Sequence, residues 1–320
     1  MVKKKIFIAG GAGYIGTRFC DTFCDKYDIT VLDYFWFGDN IKSDKVKRIK
    51  KGISDVNLED IDGYDVVMFL GGLSNDPMAE FNPNLNFIEN SAVPTYLAYL
   101  TKTAGIKKFI GASSCSVYGW THNKKLFEDS KVTPTYPYGI AKLQFEKGVS
   151  ILEDKDFNPV LFRKGTVGGW SGRMRYDLVV NTMLMTAITK NKITINSPKL
   201  WRPLIDVRDV VEAYKLAIEC DEASGVYNLS GVNFTIGNLG KLIHRKLRQK
   251  GFDIDLEILD KKDMRNYKVN IDKIEDELEF EPKYFPNDSL DEILKNININ
   301  EYDFSNKKYY NIELFKELSL

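Results

Sequence analysis

The stretch KKKIFIAGGAGYIG, residues 3–16, decides the fold that this sequence predicts. Residues 6–9 form a short continuous apolar run, which is typical of a strand buried on both faces. A helical pattern over 14–26 follows the glycines, and a second apolar run at 29–32 follows that helix. This order predicts a β-α-β unit at the start of the chain.

The glycines between the first strand and the helix fit two dinucleotide-binding patterns. Gly11, Gly13 and Gly16 match G-x-G-x-x-G, whereas Gly10, Gly13 and Gly16 match G-x-x-G-x-x-G. Either pattern allows a tight turn and brings a pyrophosphate close to backbone N–H groups at a helix N-terminus. Asp33 ends the second strand, where its carboxylate is placed to bind an adenosine ribose and to repel a 2′-phosphate. The pattern predicts an NAD site, and a glycine turn without a cofactor is disfavoured.

Composition and charge argue against several classes of protein. The 320 residues carry 45 basic and 45 acidic side chains, so the formal net charge is zero and no basic excess indicates nucleic acid. Hydrophobic residues make up 43% of the chain, and no apolar run is long enough to span a membrane. The N-terminus shows no signal-peptide pattern, so we expect a cytoplasmic protein. The four cysteines and two histidines lack metal-ligand spacing, and no metal site is expected.

Alternating strand and helix patterns over residues 1–163 predict an α/β fold, a doubly wound parallel sheet of the Rossmann type. Pro94 should cap or kink the second long helix of this part. The further buried strands and helices are expected at 65–70, 85–103, 106–112, 138–152 and 160–163.

The pattern changes after residue 163. Glycines at 165, 168, 169 and 172 predict a loop, and short helices are expected at 236–249, 271–278 and 289–296. A tail rich in Asn, Lys and Tyr is expected to be partly mobile. We expect an NAD-binding Rossmann domain over 1–164 plus about 204–230. A smaller α/β substrate domain is expected over about 165–203 and 231–320.

The residues that follow the strand at 106–112 are candidates for catalysis, because ligands of open α/β sheets bind at the carboxyl ends of strands. Tyr138 and Lys142 lie one helical turn apart on one face of the predicted helix at 138–152. A nearby ammonium favours the phenolate, so Tyr138 can exchange a proton with a substrate hydroxyl while a nicotinamide carries the hydride. Ser114 offers a hydroxyl that orients or relays the same proton.

Several motifs together resemble the extended short-chain dehydrogenase/reductase family, the NAD-dependent sugar-nucleotide epimerases and dehydratases, over about residues 4–295. In chain order the motifs are GGAGYIG, LGGLSNDP, Asn90, SSCSVYG, PYGIAK, FRKGTVGG, LVVN, WRPLIDVRDV and RNYKV. The resemblance implies three catalytic residues: Ser114, Tyr138 and Lys142. It implies a cofactor site made by Gly10, Gly13, Tyr14, Ile15, Gly16, Asp33, Asp55, Leu70, Gly71 and Lys142. It implies a site for a nucleotide-diphosphate sugar made by Ser74, Ser116, Arg173, Asn181, Arg202 and Arg265.

Some of these positions leave alternatives open. Asn90 is either a buried amide bonded to the backbone or a cofactor contact. Arg173 and Arg175 either contact phosphate or lie in a solvated loop. Two departures from the family pattern, Asp206 in place of a frequent His and the sequence Gly-Gly-Trp at 168–170, imply a sugar other than glucose or galactose, such as a deoxy sugar or a heptose.

The resemblance also narrows the reaction. The 4,6-dehydratases of this family carry an Asp-Glu pair at the positions of Cys115 and Ser116, which supply neither a good base nor a good acid. The implied reaction is hydride transfer at a sugar carbon, most often C4. A 4-epimerase is favoured over a dehydrogenase or ketoreductase that releases its product. A non-catalytic NAD-binding regulator is disfavoured, because Ser114, Tyr138 and Lys142 are all present.

The helical segments at 92–103 and 138–152 predict the oligomeric state. Both carry apolar residues on more than one face, namely Tyr96, Leu97, Tyr99 and Leu100 in the first and Ile140, Leu143, Phe145 and Val149 in the second. Surplus apolar surface on a helix often packs against a partner. Family members commonly pair these two helices, so we expect a homodimer.

Overall fold

A parallel sheet of seven strands runs through the molecule in the computed structural model, which describes residues 2–259 and 266–320. In spatial order the strands are β11 (Gly225–Leu229), β7 (Asn158–Lys164), β5 (Lys108–Ser114), β4 (Val66–Phe69), β1 (Lys5–Ala9), β2 (Asp28–Asp33) and β3 (Lys47–Lys50). All neighbouring pairs are parallel. The strand order reverses between β1 and β4, where a doubly wound sheet opens a crevice for a ligand. The Rossmann-type prediction is confirmed.

Helices cover both faces of this sheet because its strands are apolar on both sides. On β1, Ile6 and Ile8 face one core while Phe7 and Ala9 face the other, as the two-residue period of a strand requires. The first core is covered by α1 (Tyr14–Phe23) and α8 (Val207–Glu219). The second core is covered by α2 (Leu58–Ile61), α5 (Val93–Thr103) and α6 (Pro137–Ser150).

The helical segment that leads into α5 is interrupted. It consists of α3 (Asp76–Phe81), α4 (Pro83–Phe87) and a π-helical turn, Ile88–Ala92, that runs directly into α5. Pro94 lies at the start of α5, where its ring and its missing N–H disfavour regular α-helical bonding in the preceding turn. The predicted kink at Pro94 is therefore a π-helical turn.

In the described part of the chain, three small sheets lie beyond the central one. They pair β12 (Val232–Thr235) and β8 (Thr166–Gly168) with β10 (Trp201–Asp206), β13 (Asp255–Leu259) with β9 (Lys192–Asn196), and β14 (Asn266–Val269) with β6 (Trp120–Leu126). The prediction of a loop at 165–169 is wrong over 166–168, since β8 pairs in parallel with β10. A Cβ on Gly165 would lie 2.6 Å from the carbonyl oxygen of Pro203, so glycine here permits close strand packing rather than a loop.

The remaining helices are α7 (Val179–Lys190), α9 (Ile236–Gln249), α10 (Asp272–Leu278), α11 (Pro286–Asn296) and α12 (Asn311–Glu317). The helix predicted at 236–249 has these bounds in the structure. Within the tail, α12 buries Leu314 and Phe315. Partial mobility of the tail stays a prediction. Among the described helices, none is both long and apolar enough to cross a membrane.

Candidate active site

A cavity of about 540 Å³ opens at the carboxyl ends of the central strands. This volume lies within the range of about 300–1,000 Å³ that is typical of small-molecule sites. Each of five neighbouring strands contributes a residue at or just beyond its carboxyl end: Gly10 from β1, Asp33 from β2, Leu70 from β4, Ser114 from β5 and Lys164 from β7. The cavity therefore lies at the switch point that the strand order predicts.

The glycine turn after β1 has the shape that a dinucleotide requires. Gly10 has φ +78°, and a Cβ there would lie 2.3 Å from the Cα of Gly71. A Cβ on Gly16 would lie 2.3 Å from the carbonyl oxygen of Gly11, whereas a Cβ on Gly13 would meet nothing closer than 3.5 Å. Gly10 and Gly16 thus allow backbone packing, while Gly13 leaves space beside the N-terminus of α1 for an anionic ligand.

The residues predicted to bind the cofactor mostly line this cavity. Gly10, Gly13, Tyr14, Ile15, Asp33, Leu70, Gly71 and Lys142 are all part of its wall. Gly16 lies behind the turn, and Asp55 is exposed and is not part of the wall. Its neighbour Ile53, in the same 3-10 turn, does line the cavity and was not predicted from the sequence.

The carboxylate of Asp33 is held in place by two backbone groups. Its Oδ2 accepts a hydrogen bond from the Ala12 N–H at 3.0 Å, and its Oδ1 accepts one from the Phe35 N–H at 2.8 Å. Burial raises the pKa of Asp33, while these backbone hydrogen bonds lower it. The acid is thus oriented at the end of β2, where an adenosine ribose is expected.

Tyr138, Lys142 and Ser114 come together on one wall of the cavity. The Ser114 hydroxyl donates to the Ser116 hydroxyl at 3.2 Å, and the Ser116 N–H donates back to Ser114 at 3.1 Å. Lys142 Nζ lies 5.8 Å from the centre of the Tyr138 ring. This arrangement can pass a proton between Tyr138 and a bound hydroxyl group.

The charge environment of Tyr138 differs from the one predicted. Burial raises the pKa of Tyr138, and Asp76 raises it further, while the hydrogen bond from Ser114 and the charge of Arg175 lower it. Lys142 is not among the largest influences on that pKa. Burial holds the pKa of Lys142 itself well below its usual value, and the cation of Lys164 adds to this effect.

Lys164 is a cavity residue that sequence reasoning did not assign. It ends β7, and its ammonium donates to the Tyr214 hydroxyl at 3.5 Å. Burial lowers the pKa of Lys164 to about 7, with a further contribution from the charge of Arg175. Within the described residues, no carboxylate lies at ion-pair distance from Lys164. A cation at the end of a buried strand, within FRKGTVGG, was the available signal.

The predicted substrate residues divide into two groups. Ser74, Ser116, Arg173 and Arg202 line the cavity, and Arg202 lies 5.7 Å from the ring centre of Tyr267, another lining residue. Asn181 is not part of the wall, and Arg265 lies outside the described residues.

Asn181 holds the loop after β8 instead. Its Oδ1 accepts from the Gly169 N–H at 3.2 Å, and its Nδ2 donates to the carbonyl oxygen of Arg175 at 2.9 Å and to the Tyr14 hydroxyl at 3.3 Å. All three contacts are with the protein itself. Asn181 therefore orients Tyr14 and the loop around the cavity.

Arg175 is fixed by an ion pair. Its guanidinium bonds both carboxylate oxygens of Asp177, at 2.9 Å and 2.6 Å, and it also donates to the Ser74 hydroxyl. All three side chains line the cavity. The alternative of a solvated loop is thereby excluded for Arg175, which is buried.

Asn90 and Asp206 have clear structural contacts. Asn90 Nδ2 donates to the Leu73 carbonyl oxygen at 2.7 Å, which agrees with a buried amide bonded to the backbone, and Asn90 also lines the cavity. Asp206 caps α8 and forms an ion pair with Arg208. Asp206 is not part of the cavity wall. The carboxylate that replaces the frequent His of the family therefore stabilises the fold and does not contact the sugar.

Three features of the cavity define the class of protein. A glycine turn lies at the switch point, an acid ends the second strand, and Ser, Tyr and Lys side chains lie together on the neighbouring wall. This is the arrangement of an NAD-binding enzyme of the extended short-chain dehydrogenase/reductase type. The chain belongs to the NAD dependent epimerase/dehydratase family, whose model matches residues 6–230. Its cofactor is therefore NAD.

Individual relatives differ in their activities. The chain is 27% identical to a dTDP-D-glucose 4,6-dehydratase of Dictyostelium discoideum over 264 residues, which cover 74% of the chain and 60% of that protein. It is 26% identical to a UDP-glucose 4-epimerase of Lactobacillus helveticus over 78% of the chain and 83% of that protein. It spans 51% of a rice UDP-glucose 4-epimerase, with 29% identity.

A solved structure is similar to this chain over almost its whole length. A UDP-N-acetylglucosamine 4-epimerase from Methanobrevibacter ruminantium, in complex with UDP-N-acetylmuramic acid, superposes with a TM-score of 0.81 and 25% identity. The match covers 93% of this chain and 100% of that chain.

Proposed function

We propose that the protein transfers a hydride, with NAD as its cofactor, at C4 of a nucleotide-diphosphate sugar, and that it is a 4-epimerase. The observation that carries the proposal is that Ser114, Tyr138 and Lys142 lie together in the wall of the cavity that the glycine turn also lines. UDP-sugar 4-epimerases among the sequence and structural relatives support it.

The chain's own residues supply binding and proton transfer. NAD, when bound at the glycine turn, would supply the chemistry of hydride transfer to and from a sugar carbon. Tyr138 takes the proton of the sugar hydroxyl as the hydride leaves and gives it back when the ketone is reduced. Ser114 orients the hydroxyl, and Lys142 lies in the same wall of the cavity, one helical turn after Tyr138. Arg202 anchors the diphosphate of the substrate, since its fork suits phosphate oxygens.

The environment of Cys115 argues against a 4,6-dehydratase. Its thiol is buried, donates to the carbonyl oxygen of Arg163 at 3.0 Å, and has a pKa raised by burial. Ser116 is engaged with Ser114. Neither side chain offers the base or the acid that removal of water across C5 and C6 needs.

The alternative within the same chemistry is a C4 dehydrogenase or ketoreductase that releases the oxidised or reduced sugar. An epimerase must instead hold the diphosphate while the 4-keto sugar turns, so that the hydride returns from the same nicotinamide face.

Two further points stay predictions. One is the division of the chain into an NAD-binding domain and a substrate domain, and the other is that the sugar is a deoxy sugar or a heptose.

A panel of nucleotide sugars tests the proposal. The purified protein is incubated with UDP-, dTDP-, GDP- and ADP-sugars, and products are analysed by mass spectrometry and NMR. We expect a new stereoisomer of unchanged mass, formed roughly 10²- to 10⁴-fold more slowly by Tyr138→Phe protein. A product lighter by two hydrogens, with stoichiometric NADH, would contradict the epimerase and support the dehydrogenase. Loss of water would support a dehydratase.

A further inference from the structure

Three segments that are distant in sequence meet at the Asp33 end of the cavity. They are the loop at 34–37 after β2, Arg173 in the loop after β8, and α12 near the C-terminus. Trp36 and Phe37 pack against Phe315 of α12, with ring centres 5.1 Å and 6.3 Å apart. All of these aromatic residues line the cavity. Since the family model matches only residues 6–230, α12 lies outside the part of the chain that it covers.

Arg173 is held by this cluster without a charged partner. Its guanidinium lies 3.8 Å from the ring centre of Phe37 and donates to the side-chain oxygen of Asn311, the first residue of α12. A further hydrogen bond reaches the Met174 carbonyl oxygen at 3.3 Å. Among the described residues, no carboxylate lies within ion-pair distance of Arg173.

The guanidinium of Arg173 does not use all of its hydrogen-bond donors. Arg173 is only 2% exposed, and its buried Nε–H has no partner among the described residues. An arginine has five N–H donors, and a buried guanidinium is costly unless an anion and hydrogen bonds compensate for lost hydration. Arg175, two residues further along the chain, forms an ion pair with Asp177, whereas Arg173 forms no ion pair with a described residue.

The position of Arg173 shows which anion fits. Burial and the charge of Arg175 lower the pKa of Arg173, and they outweigh Asp177 and Asp33, which raise it. Ser171, two residues before Arg173, donates to the Tyr14 carbonyl oxygen at 2.7 Å, and Phe37, on which the guanidinium lies, follows Asp33 by four residues. Asp33 ends β2, and Tyr14 is the first residue of α1, beside the glycine turn. Arg173 therefore lies at the cofactor end of the cavity.

We infer that Arg173, fixed by Phe37 and by Asn311 of α12, binds the pyrophosphate of NAD, and that α12 forms part of the cofactor site. The fork of a guanidinium matches two phosphate oxygens, and the N-terminus of α1 offers N–H groups to the same anion. This assigns Arg173 to the cofactor instead of the substrate diphosphate that the family resemblance implied. The inference rests on the NAD use of the proposed function but not on its reaction.

Binding measurements separate the possibilities. Titration calorimetry of NAD, NADP and UDP is carried out on cofactor-stripped wild-type protein, Arg173→Gln and Asn311→Asp. The Asn311→Asp change keeps the shape and places a competing carboxylate on Arg173. We expect both variants to bind NAD and NADP roughly 10- to 100-fold more weakly, the loss of one or two hydrogen bonds to a charged group, with UDP affinity changed less than about twofold.

Two controls keep the result interpretable. Arg208→Gln removes a guanidinium outside the cavity, stacked on Tyr284 and paired with Asp206, and should leave all three affinities unchanged. Thermal unfolding of each variant without ligand reports whether it is folded, and Asn311→Asp carries the test if Arg173→Gln is not.

Three outcomes overturn the inference. Weaker UDP binding with unchanged NAD binding would return Arg173 to the substrate diphosphate. Weaker NADP binding alone would assign it to a 2′-phosphate. Unchanged binding of all three would leave it structural. Absence of any epimerase activity would contradict only the proposed function, because these titrations need no turnover.

Discussion

At the scale of single residues, the buried surroundings of Tyr138 determine the pKa of its hydroxyl group. Burial raises the pKa of Tyr138, so the phenol is protonated at neutral pH, and Ser114 and Arg175 are the groups that favour its ionised form. Sequence spacing identified Tyr138, Lys142 and Ser114 as neighbours. It did not identify Arg175 as an influence, because Arg175 comes from a distant loop.

Replacing Tyr138 by Phe keeps the ring and removes only the oxygen that carries the proton. We expect kcat to fall by roughly 10²- to 10⁴-fold, the usual contribution of general acid–base catalysis. NAD affinity should stay within about twofold of wild type, because the ring remains. Steady-state kinetics and calorimetry measure both. Tyr64→Phe, whose hydroxyl bonds Thr30 outside the cavity wall, is the matched control. Near wild-type turnover of Tyr138→Phe would refute its role.

Lys164 gives a prediction about pH. Its pKa is lowered to about 7, so the cation is present below pH 7 and is lost as the pH rises through 7. Affinity for the anionic sugar nucleotide should therefore decrease between pH 6 and pH 8.5. Lys164→Met should lack this step, while Lys45→Met, which removes an exposed cation, should retain it. Binding titrations across this pH range test the assignment, and the same step in Lys164→Met protein would contradict it.

At the scale of elements, the turn between β1 and α1 separates two uses of glycine. A Cβ on Gly16 would lie 2.3 Å from the Gly11 carbonyl oxygen, so Gly16→Ala should lower the free energy of unfolding by about 1–3 kcal/mol. Gly13 has φ −76° and space for a Cβ, so Gly13→Ala should change the free energy of unfolding by less than about 1 kcal/mol.

NAD binding should show the opposite sensitivity. The methyl of Gly13→Ala would occupy the space left for the pyrophosphate, so we expect affinity to fall at least about tenfold, or 1.4 kcal/mol. Urea unfolding and calorimetry measure the two effects. Unchanged NAD affinity in Gly13→Ala would show that the ligand does not approach this turn.

The same elements show which parts of the fold can be predicted from a sequence. The central strands are apolar on both faces and are bounded by turn residues, so β1, β2, β4, β5 and β7 were identified. The helix α9 was also predicted with its observed bounds, and in the structure Thr235 caps its N-terminus. The strand β8 was not predicted, because Gly165 and Gly168 interrupt the apolar pattern that is typical of a strand. Its partner β10 also lies more than thirty residues away in the sequence.

At the scale of the whole molecule, the C-terminal helix could not be assigned from its sequence. A tail rich in Asn, Lys and Tyr has no strong apolar period, and α12 packs against Trp36, Phe37 and Arg173. Such contacts depend on the tertiary fold. The cavity wall formed by Asn311 and Phe315 was therefore invisible in a reading of local patterns.

The apolar surface on the segment Ile88–Ala92 and α5 is the basis for proposing a homodimer. Of the apolar residues named in the sequence, Leu97, Leu100, Phe145 and Val149 face the core. The residues that remain exposed are Ile88 at 50%, Tyr96 at 50% and Tyr99 at 52%, and the two tyrosine rings stack at 6.4 Å. Clustered exposed aromatic residues indicate a protein–protein contact more strongly than single ones do.

We expect light scattering at micromolar concentration to give twice the chain mass of 36.7 kDa. Tyr96→Glu with Tyr99→Glu brings two carboxylates from each copy, four in all, into the same two-fold contact, so this variant should be a monomer with unchanged secondary structure. Ile258→Glu with Phe285→Glu changes two other exposed apolar residues and should leave the dimer intact. A wild-type monomer would refute the proposal. A dimer that persists in the tyrosine variant would instead place the contact on another surface, since two pairs of like charges cannot be buried together at this one.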